Sequence, residues 1–151
     1  ALYAQTQREG DAFDEVYCVF DRDAHERFKE AVSRLHTLKA NGLPLSPVVS
    51  VPCFEFWLLL HFGYTEKPYS STGNKSVGNA VVSDLKKKPG FTKYDKGMVG
   101  VFKLLAPNLE QALKHAQQLA AHPAGNDEHP NPSTQVHVLV NRLKVLAHQK
   151  L

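Results

Sequence analysis

Val16-Tyr17-Cys18-Val19-Phe20-Asp21-Arg22-Asp23-Ala24-His25 is the stretch that decides the fold. Five apolar or aromatic residues end in two acids one residue apart, and a helical pattern starts directly after them. A continuous apolar run of this length, bounded by charge, reads as a strand buried on both faces, the kind found inside a parallel sheet. On extended backbone, residues i and i+2 point the same way, so Asp21 and Asp23 aim two carboxylates at one point. Hard cations such as Mg²⁺ take oxygen ligands in that arrangement. The competing reading makes Asp23 a cap of the next helix and Asp21 a solvated loop acid.

Working outward, Phe28, Ala31, Val32, Leu35 and Leu38 fall on one helical face across residues 24–40, and Asn41-Gly42 is a C-terminal stop. Residues 47–51, Pro47-Val48-Val49-Ser50-Val51, form a second short apolar strand. Strand, helix and strand in this span predict a right-handed βαβ unit with parallel strands. Pro52 suits the first turn of a new helix over residues 53–62. Ligands collect outside the carboxyl ends of parallel strands. Asp21 and Asp23 follow one such end, and Glu55 lies one turn beyond the other, so three carboxylates would converge on one edge.

Further along, helices are expected over residues 77–88, 98–105 and 108–121, with Pro89-Gly90 and Pro107 as punctuation. Lys86-Lys87-Lys88 complements a helix dipole or forms a phosphate-contacting patch. The compact loop of residues 91–97 places Lys93 and Lys96 close together. Ser133 or Thr134 caps a last helix with Val136, Leu139, Val140, Leu143 and Leu146 on its apolar face. The expected class is therefore α/β: a small parallel sheet with flanking helices over residues 1–63, then a mainly helical part over 64–151 packed on it in the same structural unit.

A chain of 151 residues is long enough for a real core. Its 42% hydrophobic and 22% charged content is that of an ordinary globular protein, and a net charge of +3 is compatible with a polyanionic partner without demanding one. Cys18 and Cys53 both sit in apolar runs and read as buried thiols of a reducing cytosol. No apolar stretch approaches a membrane span and no signal peptide is visible, so the expected compartment is the cytoplasm. The opening Ala1-Leu2-Tyr3-Ala4-Gln5 lacks an initiator Met and reads like the tail of a helix, so the chain is expected to be the middle and end of a longer protein.

Four segments carry a family resemblance, in this order: Val19-Phe20-Asp21-Arg22-Asp23, the run from Pro52-Cys53-Phe54-Glu55-Phe56-Trp57 through Leu58-Leu59-Leu60-His61-Phe62, Tyr94-Asp95-Lys96, and Asn131-Pro132-Ser133-Thr134. Together they resemble the RloB family, bacterial proteins associated with restriction and phage-defence loci. That family is similar to Toprim-type proteins, whose small parallel sheet coordinates Mg²⁺ through acids. The resemblance implies that Asp21 and Asp23 are the Toprim Asp-x-Asp pair and ligate Mg²⁺, with Mn²⁺ as a substitute. It also implies a glutamate upstream of the residues present. Glu9-Gly10 is too close to Asp21 for the intervening βα units and is rejected for that role. Val51 stands where Asn is expected before the Pro-Cys-Phe-Glu segment.

The resulting expectation is a Mg²⁺-dependent, Toprim-like nuclease of an anti-phage system, acting on DNA or on a structured RNA such as tRNA. Asp21 and Asp23 are its metal ligands, and Glu55 is a third ligand, a general base, or an acid favoured in a helix's first turn. Lys93, Lys96 and His25 are substrate-contacting candidates, each with a plain structural alternative. His61 reads as a core histidine, and Trp57 with Phe54 and Leu58 as core packing. The family association adds a partner ATPase. The alternative function is a non-catalytic module in which the acids are structural and the helical C-terminal half, from Met98 onward, docks onto that ATPase or onto a second copy.

Overall fold

The structure, a computed structural model, describes residues 13–22, 26–71, 73, 76–122 and 127–149. Strand β1, Val16–Asp21, leads into helix α1, Phe28–Ala40, which returns the chain to strand β2, Leu45–Val51. β1 and β2 are parallel, with Val16 opposite Leu45 and Asp21 opposite Ser50. The expected βαβ unit is thus present.

A third strand, β3, Ser133–Thr134, pairs antiparallel with the end of β2 and makes the sheet mixed, in the order β1-β2-β3. The expected α/β class, with flanking helices and a helical C-terminal part, is present, and these two residues add an antiparallel strand to its small parallel pair. They also correct the cap expected there, because Gln135 occupies the N-cap position of the last helix, α6, Val136–His148. Thr134 retains part of the predicted chemistry: its Oγ1 accepts the Val136 N–H at 3.3 Å.

β2 is the strand buried on both faces. Val48 joins the larger core, and Val49 and Val51 join a smaller one with Val32, Phe20 and Phe28 on the α1 side. β1 was expected to be buried likewise, but Val19 is 51% exposed. Among the described residues β1 pairs only with β2, so one of its edges lies outside the sheet. On α1, Val32 is buried while Ala31 is exposed, which narrows the expected apolar stripe.

The larger core is built around helix α2, Glu55–Leu59, whose five residues are all buried. A helix apolar on nearly every side belongs at the centre of a fold, and Phe56, Trp57, Leu58 and Leu60 meet α3, Val77–Leu85, and α5, Leu109–Ala120. The helix expected over residues 53–62 is shortened to this core, with Pro52 and Cys53 ahead of it and turns after Leu59. Helix α4, Val101–Leu105, starts later than expected because Gly100, at φ +83°, turns the chain just before it in a conformation that favours glycine. A 3-10 turn, Ala106–Asn108, bridges α4 to α5 at Pro107. Among the described residues no helix is long and apolar enough to cross a membrane.

Candidate active site

β1 delivers Asp21 to its carboxyl end, where the Arg22 N–H donates to the Ser50 carbonyl at 2.9 Å and keeps the strand paired past the acid. Ser50, Val51 and Pro52 then carry the parallel neighbour to the same edge, and Cys53 and Glu55 follow. Asp21 and Glu55 both bear electrostatically on Cys53. Burial first, then the Glu55 carboxylate and its hydrogen bond, then Asp21, push the Cys53 thiol well above its ordinary range. Cys53 is a free, buried thiol held protonated, and so not a nucleophile at neutral pH.

Glu55 is only 3% exposed. Its Oε1 accepts a 3.2 Å hydrogen bond from the hydroxyl of Tyr94, itself buried. Burial and the facing carboxylate raise the Tyr94 phenol, so it donates throughout the physiological range. No local pattern links Tyr94 to an acid 39 residues earlier. Lys93 and Lys96 flank Tyr94 and are exposed. Their loop is therefore anchored on Glu55, close to the sheet edge that carries Asp21.

Asp23 and His25 lie outside the described residues, as do Glu9, Gly10 and the helix-compatible opening. Arg22, between the two acids, is described. Its guanidinium bonds the Asp127 carboxylate at 3.1 Å and the His129 carbonyl, and lies 5.9 Å from the centre of the Phe28 ring. These contacts outline a cavity of about 610 Å³ lined also by Lys29, His36 and Glu128. His129 lines it with a side chain 5% exposed, its Nε2 3.9 Å from Glu128 and without a hydrogen-bond partner among the described residues. Burial lowers the His129 pKa, against the pull of Glu128 and Asp127. Neither Arg22 nor His129 stood out in the sequence, because their partners lie more than a hundred residues apart along the chain.

The remaining predicted residues divide cleanly. His61 is a core histidine whose Nδ1 lies 3.1 Å from the Trp57 carbonyl, and Trp57 is core. Phe54 departs from the expected packing stripe and stands 40% exposed. Lys87, just past the end of α3, pairs with Asp84 at 2.7 Å.

Set beside known proteins, the chain matches the family model described as RloB-like protein over residues 2–143. The chain belongs to the RloB-like family. No curated protein and no solved structure matches it. Within the RloB-like span lie Asp21, Glu55, Tyr94, both loop lysines and the Arg22 contacts, so the whole edge just described is a property of the family region and not of an appended tail.

Mg²⁺ is commonly held through only one or two carboxylates, with water and substrate phosphate completing its shell. Asp21, at the end of a parallel strand, carries a donor of that kind, while Asp23 lies outside the described residues. Among the described residues no group of three or more His, Cys, Asp or Glu side chains is arranged to hold a metal. In this RloB-like chain Glu55, turned toward Tyr94 and Cys53, is placed to hold the loop and the edge together.

Proposed function

We propose that the protein is a metal-dependent, Toprim-like nuclease of a bacterial anti-phage system that cleaves phosphodiester bonds in DNA or structured RNA. One observation carries the reading: Asp21 ends a parallel strand at the sheet edge where Cys53, Glu55 and the anchored lysine loop also arrive. In this reading Asp21 and Asp23 hold Mg²⁺ or Mn²⁺, which supplies an activated water and neutralises charge on the phosphate when bound. Lys93 and Lys96 meet the substrate backbone, and Glu55 fixes their loop through Tyr94 while serving as the auxiliary acid of the edge.

A second reading, a non-catalytic module partnering a defence ATPase, draws on the burial of Glu55, which is that of a structural carboxylate. One experiment separates the two. The natural gene product, with and without its neighbouring ATPase, is incubated with plasmid DNA, single-stranded DNA and total tRNA in Mg²⁺, in Mn²⁺ and in EDTA. Cleavage that needs metal and falls by roughly 100-fold or more in Asp21→Asn/Asp23→Asn, beyond the usual cost of disturbing outer partners of a metal site, supports the nuclease. No cleavage under any of these conditions favours the module.

A further inference from the structure

Between α1 and the segment 127–129 lies the cavity of about 610 Å³ that Arg22, the residue directly after β1, helps to line. Its size is that of a small-molecule pocket. Phe28 and the buried Val32 give it an apolar side, and Ser33, His36 and Thr37 add polar groups from the same helix. The His129 side chain lines it from the other segment, and its Nε2 has no hydrogen-bond partner among the described residues. Glu128 Oε1 is 3.9 Å from that nitrogen, beyond hydrogen-bond reach, and 3.4 Å from the His36 Nε2. A buried polar atom left unmet is costly and rare in a native fold, so this one calls for a partner.

The charges of the lining narrow the class of that partner. Arg22 and Lys29 are offset by Asp127 and Glu128, so the cavity favours neither a phosphate nor a metal cation. Burial holds the His129 pKa down, so at neutral pH its ring is uncharged, with one nitrogen a donor and the other an acceptor. What suits this lining is a neutral, flat molecule. Its face would lie against Phe28 and Val32, and its edge would offer donors and acceptors to His129 and to the Ser33 and Thr37 hydroxyls. A purine or pyrimidine base has that combination, and aromatic side chains with nearby hydrogen-bonding groups are a recurring means of holding an unstacked base. We propose that this cavity seats a nucleobase, with the base edge hydrogen-bonded to the His129 Nε2. The proposal does not depend on the nuclease reading, because it concerns binding without metal.

The test is a titration in EDTA, followed through the imidazole nitrogen resonances of the protein. The probes are adenosine, guanosine, cytidine, uridine and a short single-stranded oligodeoxynucleotide, beside an abasic strand of equal length and inorganic phosphate. At least one nucleoside or the oligonucleotide is expected to saturate and to move the His129 Nε2 signal. Which of the two binds more tightly shows whether a free or a strand-borne base is the occupant. His129→Phe keeps a ring in place, and the contacts that fix the segment use the His129 backbone, its carbonyl toward Arg22 and its N–H toward Asp127. This variant is expected to weaken binding by about 10-fold, the loss of one buried hydrogen bond. Ser33→Trp, at an exposed position of α1, fills the cavity from its open side and weakens binding at least as much with an unchanged melt, which keeps the test intact should His129→Phe not fold. An abasic strand or phosphate that moves the His129 signal as far as any base-bearing probe makes this an anion site and overturns the proposal. No saturation by a base-bearing probe up to about 10 mM, beyond the millimolar range of weak ligands, overturns it too. So does binding undiminished in either variant that keeps its fold.

Discussion

Glu55 tolerates its place inside the protein because Tyr94 and Cys53 are there to meet it. Removing the Tyr94 hydroxyl in Tyr94→Phe leaves a buried carboxyl oxygen with one partner fewer, at a cost of about 1.5–3 kcal/mol measurable by chemical denaturation. Glu55→Gln keeps an oxygen for Tyr94 and is expected to melt within a few degrees of the parent. Any loss of cleavage in Glu55→Gln at unchanged stability then reports a chemical role and not a structural one. Asp21 was legible because two acids after an apolar run are a local pattern. Tyr94 was not, since its partner is fixed by how a loop folds back over α2 and leaves no periodic trace.

At the level of elements, β3 is two residues long and yet ties the far part of the chain to the sheet. The Ser50 and Thr134 hydroxyls lie 3.0 Å apart in the interior, and the Gln135 N–H donates to the Val49 carbonyl at 2.8 Å. Thr134→Val strands the buried Ser50 hydroxyl and is expected to cost about 1–3 kcal/mol. Ser50→Ala in the same background should recover part of this, so a double-mutant cycle gives a coupling near 1 kcal/mol. The βαβ unit could be read from sequence because apolar runs, helical spacing and Asn41-Gly42 all agreed locally. The third strand could not, because two hydroxyl residues before a helix satisfy the pattern of a cap and only β2, some eighty residues earlier, makes them a strand. Phe54 was misjudged for a related reason: helical spacing places it with Trp57, whereas α2 itself begins after it.

For the molecule as a whole, pH is the simplest lever on stability. His61, His129 and His137 are buried, and burial lowers all three pKa values. The unfolded chain takes up protons near the ordinary histidine value while the fold resists them, so stability is fully present above that value and is lost as pH falls toward the depressed values. The melting temperature is expected to drop between about pH 7 and pH 5, and His137→Leu should show a smaller drop over the same interval. Acid pairs such as Glu15 with Arg142 act at lower pH, since hydrogen bonds from Arg142 and Tyr17 hold the Glu15 carboxyl below its usual range. The two effects therefore separate on the pH axis.

The late position of β3 also governs when the protein can come together during synthesis. β1, α1 and β2 are made early, but the free side of β2 is not covered until residues 52–132 have been added and Ser133 and Thr134 arrive. Contacts so distant along the chain close slowly and leave strand edges open to the wrong neighbours in the meantime. Ribosome-bound chains halted before Ser133 should remain protease-sensitive across β2, while chains extended past α6 become resistant. Birth order, more than the strength of any one contact, sets the period in which a growing chain is most open to aggregation.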